Sequence, residues 1–558
     1  MRLPRLLVVS LVLCSVATAG LLGPATAPES VPSQPVAGAQ SQPLTDPATG
    51  ARASEPTLHA VYPDPVRGGD RGEFVVIDVP NGTALGRYAL TDGDTTARLP
   101  NRTASGRVAL TGAPDGVRNL TDAAVVGLDS APALANGGDT VTLTRNGSAV
   151  ASVRYADTEE GELGIIDGST VHWRPLGATD RPVVTGRAGE VRAFTLPDAP
   201  QAPLAPVRNA SDRVYLAGYT LSSSRVADAL VAAQRRGADV RVLLEGEPVG
   251  GRTRTEARTL DRLRGSGIEV RVVAGPRARY RYHHAKYAVA DERGVVMTEN
   301  WKPAGTGGRS SRGWGVATSQ PRVVDGLAAT FRADAGWRDA IDWQSYRAGR
   351  SFQRGERANG SYPARFDATT IPVEGTDLLV TPDNAQSALV GELDAATDSV
   401  DVVQPTVGGW DEPLLRALRR AAKRGVEVRV LLSSAWYVRE ENQRVVERFG
   451  SWADRTGAPL SAKLADPGDR YGKIHAKGAV VDDDRVIVGS LNWNEQAATV
   501  NREVLLVLQG TAAADYFGRV FDADWSGGQP AVPVGLLAAV VGALVVAGLA
   551  ARRVRFAS

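Results

Sequence analysis

The chain has 558 residues, 43% of them hydrophobic and 23% charged, with 60 glycines and 33 prolines. That length exceeds one ordinary core and predicts two to four domains, and the composition excludes a wholly disordered chain. Its 64 basic and 62 acidic residues nearly cancel, which argues against a generic basic surface for nucleic acid. In residues 1–19, Arg2 and Arg5, the apolar run Leu6–Leu13 and Ala17-Thr18-Ala19 predict an export signal. Cys14, the only cysteine, falls inside it, so the exported chain is expected to carry no disulfide. Residues 20–55, rich in Pro, Ala, Ser, Gln and Thr without apolar periodicity, read as a disordered linker.

From 56 to 155 short alternating runs such as Glu73–Val79, Arg107–Leu110 and Thr140–Leu143 are separated by turn signals such as Asn81-Gly82 and Gly137-Gly138-Asp139. Many short strands with frequent turns predict an all-β sandwich. EFVVIDVPNGT, RYALTDG and NGGDTVTLTRNGSAVASVRYAD resemble a lamin-tail domain, which implies an immunoglobulin-like sandwich. It contains no catalytic cluster. Six Asn-X-Ser/Thr sequons, at Asn81, Asn101, Asn119, Asn146, Asn209 and Asn359, make glycosylation an expectation.

From about 190 the texture turns α/β. RVYLAGYTL (213–221) reads as a strand, and 223–244 as a helix, a glycine stop at Gly237 and a buried strand. The sentence recurs: DSVDVVQPTV (398–407) is a strand, and 412–432 repeats helix, glycine and strand. RRGADVRVLL (235–244) and KRGVEVRVLL (423–432) lie 188 residues apart, and HHAKYAVAD (283–291) and HAKGAVVD (475–482) share the pattern H-x-K-x4-D at an offset of 191. One α/β unit is therefore duplicated, as 190–344 and 373–528.

In each copy histidine and lysine stand two apart before an apolar run, so a strand would project both to one side. His284, Lys286, His475 and Lys477 can then converge on one cleft. Two lysines favour a phosphate, and two histidines can divide nucleophilic attack from protonation of the leaving oxygen. Downstream, Ser490 and Asn492 in GSLNW, and Thr298 and Asn300 in MTENW, are candidate donors to phosphate oxygens, and Glu503 is expected to orient the His475 ring. The first copy's SSRGWGV (310–316) offers no matching acid. Arg277, Arg279 and Arg281 read equally as an edge strand or as a basic lip for an anionic substrate.

HxKxxxxD, present twice and followed by MTENW in the first copy and GSLNW in the second, resembles the phospholipase D superfamily. The resemblance implies a duplicated βαβαβ sandwich with its site at the shared interface, and metal-independent phosphodiester transfer through a phosphohistidine. It makes His284 and His475 the catalytic pair, with His284 as nucleophile, and gives Lys286, Lys477, Asn300 and Asn492 to phosphate. Asp291 and Asp482 complete the catalytic motif as structural supports. No cofactor or metal is expected. The expected substrate is a phospholipid; an extracellular nuclease and a cardiolipin-synthase-like phosphatidyltransferase are the alternatives, and a non-catalytic surface-binding protein ranks last. The loops 247–256 and 433–442 are expected to decide among diesters. Finally, 531–551 is an uncharged apolar run of bilayer length followed by Arg552, Arg553 and Arg555. It predicts one transmembrane helix that anchors an extracytoplasmic body at the cell membrane. The expected state is a monomer with a pseudo-twofold active site.

Overall fold

The local signals match the helices and strands they predict. Ser223 caps the helix Ser224–Arg235, its side chain accepting from the Val226 N–H at 3.4 Å, and Gly237, after Arg236, has φ 102°. That left-handed conformation costs glycine little, and the chain reverses into the strand Asp239–Glu245. The second copy repeats this with Pro413–Arg424, Gly425 at φ 101° and Glu427–Leu432. Leu414, Leu415, Ala417, Leu418, Ala421 and Ala422 form that helix's buried stripe.

In the computed structural model, residues 55–66, 72–274, 278–355 and 357–527 are described. The export signal, nearly all of the linker and the apolar run 531–551 lie outside the described residues. Among the described residues no helix is long and apolar enough to cross a membrane.

The N-terminal part pairs a six-stranded with a four-stranded sheet. Val75, Ile77 and Leu110 of the first meet Leu90, Val141 and Leu143 of the second in one core. The six-stranded sheet extends past residue 155, where the sequence pattern suggests an end. Glu162–Asp167 and Thr170–Pro175 form a hairpin beside Thr57–Tyr62. Of the sequon asparagines Asn119 is half-buried, its carbonyl accepting from Trp337 Nε1 at 2.7 Å, and the other five are exposed.

The first α/β half contributes Gly189–Leu196, Arg213–Gly218, Asp239–Glu245, Glu269–Val273, Tyr287–Ala290, Arg293–Met297 and Ser311–Thr318, in chain order. Across the sheet these stand fourth, third, second, fifth, sixth, seventh, first. The second half contributes Gly375–Val380, Ser399–Gln404, Glu427–Leu432, Leu460–Leu464, Gly478–Val481, Arg485–Gly489 and Val504–Gln509 in the same spatial order. The halves also exchange edges. Val184–Gly186, just before the first half, pairs with Gly375–Val380, and Thr369–Val373, just before the second, pairs with Gly189–Leu196.

Each half has its own outer core under its parallel-strand helices. A third core is shared: Tyr287, Trp314, Val316 and Phe331 pack with Val403, Ile474, Phe517 and Phe521. The inner sheet faces therefore meet, so the segment after Met297 in one half can touch the segment before Gly478 in the other.

The motif aspartates show why H-x-K-x4-D ends where it does. Asp291 and Asp482 have φ of 52° and 50° and turn the chain between adjacent strands. Asp291 accepts the N–H groups of Ser211, Asp212 and Arg213 at 3.0, 2.9 and 3.0 Å, and Asp482 those of Thr397, Asp398 and Ser399 at 2.8, 2.8 and 3.0 Å. Partial burial alone would raise both carboxyls, but these bonds hold them below the usual range. Both act as struts and reach no reacting group.

Candidate active site

Each H-x-K segment is fixed by the opposite half. His284 N–H donates to the Arg502 carbonyl and His475 N–H to the Arg312 carbonyl, both at 2.9 Å. The strands begin only at Tyr287 and Gly478, after the lysines, so each His-Lys pair lies in the lead-in rather than in the strand itself. Lys286 Nζ reaches its own His284 carbonyl at 2.5 Å, and Lys477 Nζ the His475 carbonyl at 2.9 Å.

Glu503 is bound to the other histidine from the one expected. His284 Nδ1 lies 2.8 and 3.0 Å from the two Glu503 oxygens, and His475 Nδ1 lies 3.4 Å from Glu299. The acids are crossed between halves because each H-x-K segment pairs with the other half's last strand. The first copy does have its acid. Met297 pairs with Gly315 where Gly489 pairs with Leu505, so Gly313 stands at the position of Glu503. A Cβ at Gly313 would collide with Glu299 Cγ, so the missing side chain leaves the space that Glu299 fills. Aligning the two copies puts Glu299 opposite Leu491, a signal that sequence reasoning passed over. We expect Gly313→Ala to displace Glu299 and lower turnover of a soluble diester about 100-fold, as a misplacement of about 1 Å can. An unchanged rate in a folded variant would remove Glu299 from the site.

The histidine side chains are 12% and 21% exposed, whereas Glu503 and Glu299 are sealed at 0% and 1%. Burial lowers the His284 imidazole to about 4, with Glu503 opposing and Lys286 and Lys477 adding to the fall. Burial, then Lys477 and Lys286, push His475 well below its ordinary value. Burial pulls Lys477 down to about 8 and Lys286 well below its usual range. Burial raises Glu299 to about 7 against four nearby lysines, while the His284 contact helps to hold Glu503 low. Burial thus works against the charged forms of both lysines and both imidazoles, and a phosphate anion in the cleft would favour those charged forms.

The lowered His284 value ties stability to pH. Between about pH 6.5, where an unfolded histidine titrates, and pH 4, the folded protein binds fewer protons at His284 than the unfolded chain does. That contribution to stability is complete above 6.5 and is lost as pH falls. The stability of the wild type relative to His284→Asn should therefore decline from pH 7 to pH 4 in denaturant titrations; a constant difference would contradict the lowered pKa.

Asn300 is buried with Oδ1 unpartnered, and Asn492 is half-buried at the equivalent place. Thr298 and Ser490, the other expected phosphate donors, contact the backbone of the last strand. Both are fully buried; Thr298 Oγ1 accepts the Trp314 N–H at 3.1 Å, and Ser490 Oγ bonds the Val504 backbone at 3.0 and 3.3 Å. They clip the last strand to the sheet. Of the arginines leading into the first motif, Arg279 is buried on Asp339 at 3.0 Å and Arg281 binds Glu160 of the β-sheet region at 2.8 Å; Arg277 lies outside the described residues. Trp301 and Trp493 are fully buried anchors. Among the described residues no group of three or more His, Cys, Asp or Glu side chains could hold a metal ion.

Behind the site lies a second crossed pair that no sequence signal marked. Arg502 binds Asp383 of its own half at 2.9 Å and Asp334 of the other at 3.1 Å. Arg312, its counterpart, binds Asp198 of its own half and Asp524 of the other, the latter at 2.9 Å. All six side chains are at most 2% exposed. These clamps join the halves through the same two arginines whose carbonyls hold His284 and His475.

The family described as the PLD-like domain of cardiolipin synthase matches residues 204–335 and 389–525. The chain is 31% identical over 150 residues to mitochondrial cardiolipin hydrolase of Xenopus laevis, covering 27% of this chain and 65% of that protein. It is 26% identical over 293 residues to cardiolipin synthase A of Yersinia pseudotuberculosis, covering 51% of this chain and 57% of that one. The chain thus spans less than two thirds of the length of either relative. Phosphatidylserine synthase of Haemophilus influenzae Rd KW20 aligns with TM-score 0.45 and 14% identity, over 62% of this chain and 88% of that one. The matched segments lie one in each half, each around its own H-x-K motif, so both halves are similar to PLD-like domains, and this similarity supports a phospholipase D superfamily relationship.

Proposed function

We propose that this protein is a phospholipase-D-type phosphodiesterase acting on phospholipids through a phosphohistidine on His284. The observation that carries it is the crossed pair of histidines, each with Nδ1 facing a buried acid, beside two buried lysines. With Nδ1 engaged by Glu503, His284 presents Nε2 to phosphorus. The Nε2–P bond forms as the P–O bond to the leaving group breaks. That oxygen takes a proton from His475 Nε2, whose protonation the diester's negative charge favours. Water then gives a proton back to His475 and attacks phosphorus, and the P–N bond breaks. An alcohol in place of water would give phosphatidyl transfer. Lys286, Lys477, Asn300 and Asn492 stabilise the equatorial oxygens.

His284 takes the nucleophile's role because its acid is held ionised at hydrogen-bond distance. Glu299, raised to about 7 and 3.4 Å away, leaves His475 freer to exchange protons. The phospholipid reading is supported by the cardiolipin hydrolase and cardiolipin synthase relatives. We further propose an exported body anchored through 531–551, on the strength of the terminal sequence patterns alone. The test incubates the full-length chain and a His284→Ala, His475→Ala double variant, with EDTA, with phospholipid vesicles or with single- and double-stranded DNA. Headgroup release by the wild type alone is the expected result; DNA cleavage without lipid turnover would move the protein to the nucleases.

A further inference from the structure

Two loops beside the cleft carry apolar side chains into solvent. Val249 is 75% exposed, Trp436 86% and Tyr437 52%. The loops are equivalent, since each comes after the third strand of its half, Asp239–Glu245 and Glu427–Leu432. Each tip is joined to its half's motif by one polar side chain. The Val249 N–H donates to the Tyr219 hydroxyl at 2.5 Å, and the Tyr219 ring stands edge-on to the His284 imidazole, 4.8 Å between centroids. The Tyr437 hydroxyl accepts from Lys473 Nζ at 3.1 Å, two residues before His475.

The described residues end at the same edge. Glu427–Leu432 and Leu460–Leu464 are parallel with Leu432 opposite Leu464, so the loop after 432 and the loop after 464 emerge together. Gly527 packs beside Asp466 in the second of these loops. The apolar run 531–551 begins four residues later.

We propose that Val249, Trp436 and Tyr437 form a rim that seats the mouth of the cleft on the surface of a phospholipid bilayer. Tryptophan and tyrosine favour the headgroup boundary, where an apolar ring and a polar edge are both satisfied. Valine has no face on which a base can stack, so the set fits acyl chains better than nucleobases. The exit of the chain at this edge would bring the rim and an anchored C-terminus to the same membrane. The proposal rests on the phospholipid reading of the site.

The test combines full-length protein with phosphatidylcholine–cardiolipin vesicles whose acyl chains are brominated. Trp436 emission is taken as the difference between the wild type and Trp436→Phe. Quenching of that difference emission is expected. A Val249→Ser, Trp436→Ala variant should turn over vesicle lipid about tenfold or more slowly, from the lost apolar burial, while hydrolysing bis-p-nitrophenyl phosphate at the wild-type rate. Unquenched emission would overturn the rim, as would equal losses on vesicles and on the soluble diester. Loss of affinity for a single-stranded oligonucleotide with vesicle turnover intact would overturn it in favour of a base-stacking platform. The quenching is also read in a His284→Asn background. Docking without lipid turnover in the wild type would then sink the catalytic reading alone.

Discussion

His284→Asn should lower turnover of any diester by at least about 10⁴-fold, the scale on which removing a nucleophile and its paired proton chemistry acts. His475→Ala should fail differently. With a substrate whose leaving group needs no proton, His284 can still attack, but nothing then activates water. The phosphorylated protein should accumulate and survive alkaline denaturation, as a phosphoramidate does. Rapid-quench labelling reads both variants: label on His475→Ala and none on His284→Asn is the expected pattern, and the reverse would exchange the roles. The asymmetry rests on Glu503, ionised and 2.8 Å from His284 Nδ1.

The largest loss of stability is expected at the clamps. Arg502→Ala leaves Asp334 and Asp383 buried without their cation, and one broken buried pair typically costs about 3–5 kcal/mol. Chemical denaturation should show that loss, whereas Arg338→Ala should cost no more than about 1 kcal/mol. Arg338 binds Asp122 of the β-sheet region in a pair whose side chains are 47% and 74% exposed, so water replaces the lost partner. If the two variants were equally mild, the halves would not depend on the clamps. Arg502→Ala should also slow catalysis, because the Arg502 carbonyl holds His284 and Glu503 is the next residue.

Charge and conformation explain why the clamps were invisible. Arg312 and Arg502 read as two among 58 arginines, and nothing local tells a buried guanidinium from a solvated one. Asp334 and Asp524 sit on helices, where surface aspartates are common. The glycine stops at Gly237 and Gly425 were legible because a helix end and a positive φ are decided within a few residues. The backbone contacts of Thr298 and Ser490 were not legible, because only the register of the neighbouring strand decides what a hydroxyl two residues from an asparagine meets.

The sequence by itself determined that one α/β unit occurs twice and that each copy brings a histidine and a lysine to the same place. Those features are repeats and periodicities, written within short windows. Only the tertiary structure decided which acid serves which histidine. Glu503 reaches His284 across 219 residues, and Glu299 approaches His475 from the other direction. Their pairing depends on each half's last strand bonding the other half's H-x-K segment. The physical reason is the shared core: a buried acid goes where the packing of two sheets leaves room, and at Glu299 that room exists because Gly313 has no side chain.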